Sequence, residues 1–194
     1  MPTLAYTRSG AGGPLVLLPG IGSSRHAWAP VMPALAERFD VLAVDLPGFG
    51  DSGPLPHAAG PLSRLVNYRL GRALVLGQTH GRPFRITPGY ARTAIWAMGT
   101  CPGFDATMTA TTRGYLSGPP IDAPVTVAFG SRDLLLRRRC RHLGELPPGT
   151  QLGTLPGCGH VPMADNPRAV TAFITASAAR ARRDGKDAPS LARR

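Results

Sequence analysis

Two stretches decide how this chain folds: Pro14-Leu15-Val16-Leu17-Leu18-Pro19-Gly20-Ile21-Gly22-Ser23-Ser24 and Asp40-Val41-Leu42-Ala43-Val44-Asp45-Leu46-Pro47-Gly48-Phe49-Gly50-Asp51-Ser52. Each carries a short apolar run, 15–18 and 41–44, closed by turn residues. Such runs suit parallel strands buried on both faces. Between them, 29–38 places Val31, Ala34, Leu35 and Ala36 near a 3.6-residue spacing, which predicts a helix. Strand, helix, strand in that order is a βαβ unit with a right-handed crossover. An edge strand over 4–8 precedes it and ends at the turn Ser9-Gly10-Ala11-Gly12-Gly13.

Working outward, 54–61 is rich in Pro, Gly and Ala and reads as a loop. The block 62–117 is ambiguous: 62–76 and 88–98 could be helices, broken by Gly77, Gly81, Pro83 and Pro88. Strands return at 125–129 and 150–155. Asn166-Pro167 starts a helix, with Asn as the cap and Pro in the first turn, and the helix runs on through Val170, Phe173 and Ile174. From Arg180 the chain is basic and polar, so 180–194 is expected to be a disordered tail. One domain, 1–179, accounts for the rest.

Two polar residues stand just past strand ends, where open α/β sheets place their sites. Pro124-Val125-Thr126-Val127-Ala128-Phe129-Gly130-Ser131-Arg132-Asp133 delivers an acid, and Leu155-Pro156-Gly157-Cys158-Gly159-His160-Val161-Pro162 delivers a histidine. They lie 27 residues apart in the chain, room for a helix and a strand between them.

These motifs resemble those of the α/β-hydrolase fold family, of the lipase, esterase and haloperoxidase-like kind. Residues 4–54 resemble that family's opening strands and 121–175 its closing strands and helix. The block 61–113 resembles the lid above the active site, within a lid-like segment 61–117. The resemblance implies an α/β fold: a partial doubly wound, mostly parallel sheet with a helical lid-like insert. It implies ester or acyl hydrolysis by a serine-type triad, without cofactor or metal, on a small-molecule ester or acyl substrate. Asp133 would orient the imidazole, and His160 would take the nucleophile's proton. Gly20 and Ile21 would form the oxyanion loop: Gly20 allows close approach and Ile21 offers its N–H to the developing charge. Pro19 stands where the family usually has His. The stretch between the first block and the lid, which holds the elbow strand, its helix and the next strand, has no counterpart.

The nucleophile is the missing part. A Gly-x-Ser-x-Gly pentapeptide occurs nowhere in the 194 residues. Ser52, in Gly50-Asp51-Ser52-Gly53-Pro54, reads as a turn after the second buried strand. Cys101, in Gly99-Thr100-Cys101-Pro102-Gly103, is followed by a proline with no N–H to give an oxyanion. Thr79, in Gly77-Gln78-Thr79-His80-Gly81, follows Ala73-Leu74-Val75-Leu76, which could be a strand. The next residues, Arg82-Pro83-Phe84-Arg85-Ile86-Thr87-Pro88, do not continue as a helix. Asp105 competes weakly with Asp133 for the acid.

Composition bounds the alternatives. The hydrophobic fraction of 43% supports a core. The formal net charge is +11. The positive residues are almost all arginine and scattered, as a GC-rich bacterial genome would encode, and no nucleic-acid-binding spacing accompanies them. Cys101, Cys140 and Cys158 suggest neither disulfides nor a metal site. Without a signal-like start or an apolar run near ~18 residues, a cytoplasmic protein with neither a nucleic-acid nor a membrane partner is expected. Three functions stand open: a hydrolase-family protein that is non-catalytic or impaired, an atypical hydrolase using Thr79, and a non-enzymatic binder of small molecules on the same scaffold.

Overall fold

A computed structural model describes residues 4–52, 65–99, 101, 107, 109–110 and 123–186, with side chains through Arg183. The expected loop at 54–61, Asp105, and the end of the tail lie outside the described residues.

The opening βαβ unit forms as expected. Strand β1 spans Tyr6–Ser9, β2 Gly13–Leu17 and β3 Phe39–Val44. They align as β1-β3-β2, with β1 antiparallel and β2 parallel to β3. Helix α1 is shorter than its apolar spacing predicts, Met32–Ala36, after a 3₁₀ turn at Arg25–Trp28. Pro33 explains the late start: without an N–H it is tolerated only in a first turn. Further on come helices α2, Arg69–Leu76, and α3, Pro88–Gly99. The closing block gives β4, Thr126–Gly130, β5, Gln151–Leu155, and helix α4, Pro167–Lys186. Asn166 caps α4, its Oδ1 accepting the N–H of Ala169 at 3.2 Å.

Residues 73–76, open between helix and strand in the sequence, are the end of α2. Two expectations need correction. Helix α4 runs past Arg180 to Lys186, because Arg182 has a docking place: its guanidinium lies 5.7 Å from the Phe39 ring centroid. Strand β2 is half-buried and not buried on both faces. Leu17 is covered, while Val16 and Leu18 are exposed.

The last point belongs to a larger one. β4 and β5 pair in parallel as a sheet of their own, and among the described residues β2 and β4 do not pair. One core still spans both sheets: Leu17, Leu35 and Val41 from the first unit pack in a cluster with Leu155, Cys158 and Val170 from the second. The opposite face of the first sheet is an open apolar groove of about 590 Å³, lined by Leu4, Tyr6, Val16, Leu42 and Val44 among others. A second, smaller cluster of Val66, Leu76, Ile86 and Ala91 holds α2 and α3 together. Among the described residues no helix is long and apolar enough to cross a membrane.

Candidate active site

β4 ends at Gly130 and the chain turns through Ser131-Arg132 to Asp133. Gly130 is required here, since a Cβ would run into the carbonyl oxygens of Gly159 and Cys158. That close approach brings the two strand-end loops together. Ser131 N donates to Leu155 O at 3.0 Å, Arg132 N to Cys158 O at 2.8 Å, and Gly157 N to Ser131 Oγ at 2.7 Å. The result is the pair read from sequence: His160 Nδ1 stands 3.1 Å from Asp133 Oδ2.

Asp133 is built to stay ionised. Its side chain is 4% exposed against 44% for His160. Burial pushes its carboxyl up, but the N–H of Leu136, the His160 imidazole and the N–H of Leu135 outweigh this and hold it below the usual carboxylate range. Oδ1 accepts the N–H of Leu135 at 2.9 Å and of Leu136 at 2.8 Å. Oδ2 is left for His160. A carboxylate so engaged fixes the imidazole's orientation and steadies its charged form.

His160 opens onto a cavity of about 660 Å³ that Gly20, Ile21 and Thr79 also line. The Gly20–Ile21 loop turns at Gly22, whose φ of +74° lies in the left-handed region. Ser23 N donates to Gly20 O at 3.2 Å. Past the loop, buried Asp45 anchors Arg25: it accepts the Arg25 N–H at 2.5 Å and pairs with the Arg25 guanidinium. Apolar side chains dominate the lining, among them Leu76, Ala97, Met98, Leu135, Val161 and Met163. Among the described lining residues the titratable ones are His26, His80, His160 and Tyr90, with no Asp, Glu, Lys or Arg.

The structure thus brings Asp133, His160, Gly20, Ile21 and Thr79 to one cavity region. Thr79 does not sit on an elbow. An elbow is a strand-to-helix turn with a strained nucleophile, whereas Thr79 follows helix α2. Among the described residues His142 is the only non-glycine with positive φ. The Thr79 hydroxyl is engaged locally, 3.2 Å from Leu76 O and 2.8 Å from His80 Nδ1. Cys101 Sγ donates to Ala97 O at 2.6 Å, and burial pushes its thiol up, away from thiolate. Its neighbours Thr100, Pro102 and Gly103 lie outside the described residues. Ser52 caps a turn, its Oγ donating to Asp45 O at 3.1 Å and accepting the Ala5 N–H at 2.8 Å.

Two residues were missed in the sequence. Asp165, 4% exposed, accepts N–H bonds from Gly81 at 2.7 Å, Arg82 at 2.8 Å and Gly159 at 2.8 Å. It ties the Thr79 loop to the His160 loop, as does Val161 N donating to Thr79 O at 2.8 Å. No local signal marks it, since two of its partners lie more than eighty residues away. His80 is equally buried. Burial lowers its pKa against the opposing pull of Asp165 and the Leu76 carbonyl, so the ring is held neutral. Its Nε2 has no protein partner.

The comparisons agree on the architecture. Residues 13–81 match the model of the alpha/beta hydrolase fold. A putative lipase from Acinetobacter baumannii superposes with a TM-score of 0.70 at 17% identity, over 93% of this chain and 89% of that one. A serine hydrolase involved in carbazole degradation gives 0.66 at 19%, over 91% and 94%. The chain has the α/β-hydrolase fold. Curated relatives match shorter stretches. A soluble epoxide hydrolase from Corynebacterium sp. is 55% identical over 47 residues, which is 24% of this chain and 16% of the relative. A pimeloyl-[acyl-carrier protein] methyl ester esterase from Aeromonas hydrophila is 43% identical over 68 residues, 35% of this chain and 24% of the relative. This α/β-hydrolase-fold chain therefore matches a quarter or less of the length of these two relatives.

Proposed function

We propose that this protein binds a small, uncharged ester or acyl compound in the cavity beside His160 and does not turn it over by the covalent serine route. One observation carries the reading: Asp133 and His160 stand paired at 3.1 Å at that cavity in a chain with no Gly-x-Ser-x-Gly. The acid–base half of a hydrolytic site is present without an elbow nucleophile. An internally deleted or degenerate hydrolase accounts for both the split into two separate sheets and the bare face of the first sheet. The second oxyanion donor of the family follows the nucleophile, so it is absent with it. Without a nucleophile, what remains is His160 acting as a base on water, at most ~10²–10⁴-fold. The A. hydrophila relative is named for ester cleavage, which fits an ester-shaped ligand here.

The test is hydrolysis of short-chain p-nitrophenyl esters by the purified chain and by His160→Ala. Rates at or near background for both, with ester binding retained by calorimetry, are expected. Turnover that His160→Ala abolishes would overturn the reading.

A second reading uses Thr79, on the strength of its 2.8 Å contact with His80 Nδ1. A neutral imidazole beside a hydroxyl is the arrangement that activates a nucleophile. Against it, the hydroxyl also lies 3.2 Å from Leu76 O. If the hydroxyl gives its single proton to that carbonyl, the imidazole donates to it and is no base. Covalent labelling by a fluorophosphonate probe, lost in Thr79→Ala, would favour this reading.

A further inference from the structure

The outer surface of the α2 region departs from what a water-facing helix should show. Tyr68 is 72% exposed, Leu70 79% and Leu74 77%. Leu70 and Leu74 stand one turn apart on the same face. The buried side of the helix is made by Arg72 and Leu76. Arg72 turns inward because its guanidinium donates to the carbonyls of Val66 at 2.8 Å and Asn67 at 3.2 Å. The adjoining 3₁₀ turn Pro83–Arg85 packs against α2 and adds exposed Phe84 and Arg85. Arg69, the first residue of α2, is exposed next to Leu70 in the chain.

Charge in this region is one-sided. Between Asp51 and Asp105 the sequence contains no Asp or Glu, while it carries Arg64, Arg69, Arg72, Arg82, Arg85 and Arg92. A solvated lid would normally mix both signs. This segment presents large apolar side chains beside exposed Arg69 and Arg85, with no acidic side chain among its described residues. The partner that answers both features is one with negative charge at its surface and apolar depth immediately below. An anionic bilayer has that layering: headgroups attract arginine, and the acyl boundary takes leucine and the aromatic rings. An acidic protein surface supplies the charge but not the depth for four large apolar groups.

We propose that the Tyr68–Leu74 face with Phe84 docks peripherally on anionic phospholipid surfaces, Leu70, Leu74, Tyr68 and Phe84 entering the headgroup boundary while Arg69 and Arg85 pair with lipid phosphates. This is a surface contact and not a span, so the absence of a membrane-crossing helix among the described residues does not bear on it. It is independent of whether the cavity supports turnover.

The experiment is co-sedimentation of the full chain with vesicles of phosphatidylglycerol and, separately, of phosphatidylcholine. Binding to phosphatidylglycerol that weakens steeply with salt is expected, with little on phosphatidylcholine. Arg69→Gln with Arg85→Gln should weaken binding roughly 30-fold, at about fivefold for each arginine removed from an anionic surface. Leu70→Asp with Leu74→Asp should weaken it by at least ~10-fold, since apolar area leaves the boundary. All four positions are exposed, so a matching far-UV spectrum and melt certify the fold. Competition with polyglutamate supplies the remaining arm. If polyglutamate displaces the vesicles and the leucine variant binds like the parent, the patch answers charge alone and the proposal is wrong. No binding to phosphatidylglycerol refutes it directly.

Discussion

Asp165→Ala is the substitution that most sharply probes how the site is held. The carboxylate is buried and receives three backbone N–H bonds, from Gly81, Arg82 and Gly159. Removing it strands three donors. The bond from Gly159 is fully buried, so its orphaned amide carries the whole desolvation penalty, ~1–3 kcal/mol. The bonds from Gly81 and Arg82 are partly buried and can reach water, at a cost of ~0.5–1 kcal/mol each. The total is about 2–5 kcal/mol, a large share of the ~5–15 kcal/mol available to a domain. For a chain of this size it corresponds to a melting point lower by roughly 5–15 °C. Asp165→Asn keeps one carbonyl oxygen for the Gly81 and Gly159 amides and forfeits the Arg82 bond, so it should cost less than half as much. Thermal melts by circular dichroism read the stability, and amide exchange reads the site. Exchange at Gly81 and Gly159 should accelerate more in Asp165→Ala than exchange within β3. A melting point within ~1 °C of the parent, with Gly159 exchange unchanged, would show that Asp165 is not the tie between the two loops.

Other outcomes follow from the same structure. His80 has a lowered pKa through burial, so the unfolded chain takes up the proton first. Stability should therefore fall as pH drops from about 7 to about 5, and a His80→Gln variant should show a flatter profile over that window in urea titrations. Arg182→Ala removes the contact with Phe39 and should lower stability by about 0.5–1 kcal/mol, read from the urea midpoint, whereas truncation beyond Lys186 should leave that midpoint unchanged. Asp133 contributes oppositely to a rising-pKa group: its carboxyl is held low, so its contribution is present above the ordinary carboxylate value and is lost only as pH falls through the acid range. Asp133→Asn should accordingly weaken the acid-side slope of stability while leaving the slope near neutrality to His80.

Much of the fold was legible because its signals are local. Leu15–Leu18 and Val41–Val44 read as strands from four residues each, and Asn166-Pro167 announced α4 by cap chemistry alone. Asp133 and His160 were legible because strand ends are where α/β sheets place chemistry, and both strand ends could be seen. What could not be read depends on distant neighbours. The exposure of Val16 and Leu18 reflects what packs on the far face of β2, which no window of sequence reports. Residues 73–76 are apolar enough for a strand, and short apolar runs do not distinguish strand from buried helix. Here the inward-turned Arg72, whose Nη1 donates to the Val66 and Asn67 carbonyls, goes with the helix. Asp165 escaped because its partners come from two loops far away in the chain.

The Asp133–His160 pair is assembled even though the two sheets do not pair through β2 and β4, and the reason lies in where its support comes from. β4 and β5 are hydrogen-bonded to each other. Their end loops are stitched by Ser131, Arg132 and Gly157. Asp133 is oriented by the amides of the next residues, Leu135 and Leu136. Asp165 adds the tie to the Thr79 loop from the start of α4. Every one of these bonds lies within the closing block or between it and the loop 79–82, and none comes from a strand beside β2. The Gly20–Ile21 loop takes no part in these bonds; just past it, Asp45 anchors Arg25 in the opening block. The two halves of the site are thus locally supported, and among the described residues they are joined by the shared core of Leu17, Val41, Leu155 and Val170, by Arg182 over Phe39 and, through α3, by the Tyr90 hydroxyl donating to the Ala27 carbonyl. Such a division lets the pocket and the Asp133–His160 pair keep their shape while the separation between His160 and the Gly20–Ile21 loop depends mainly on packing across the core. That separation is therefore the coordinate along which ligand binding should move this protein most.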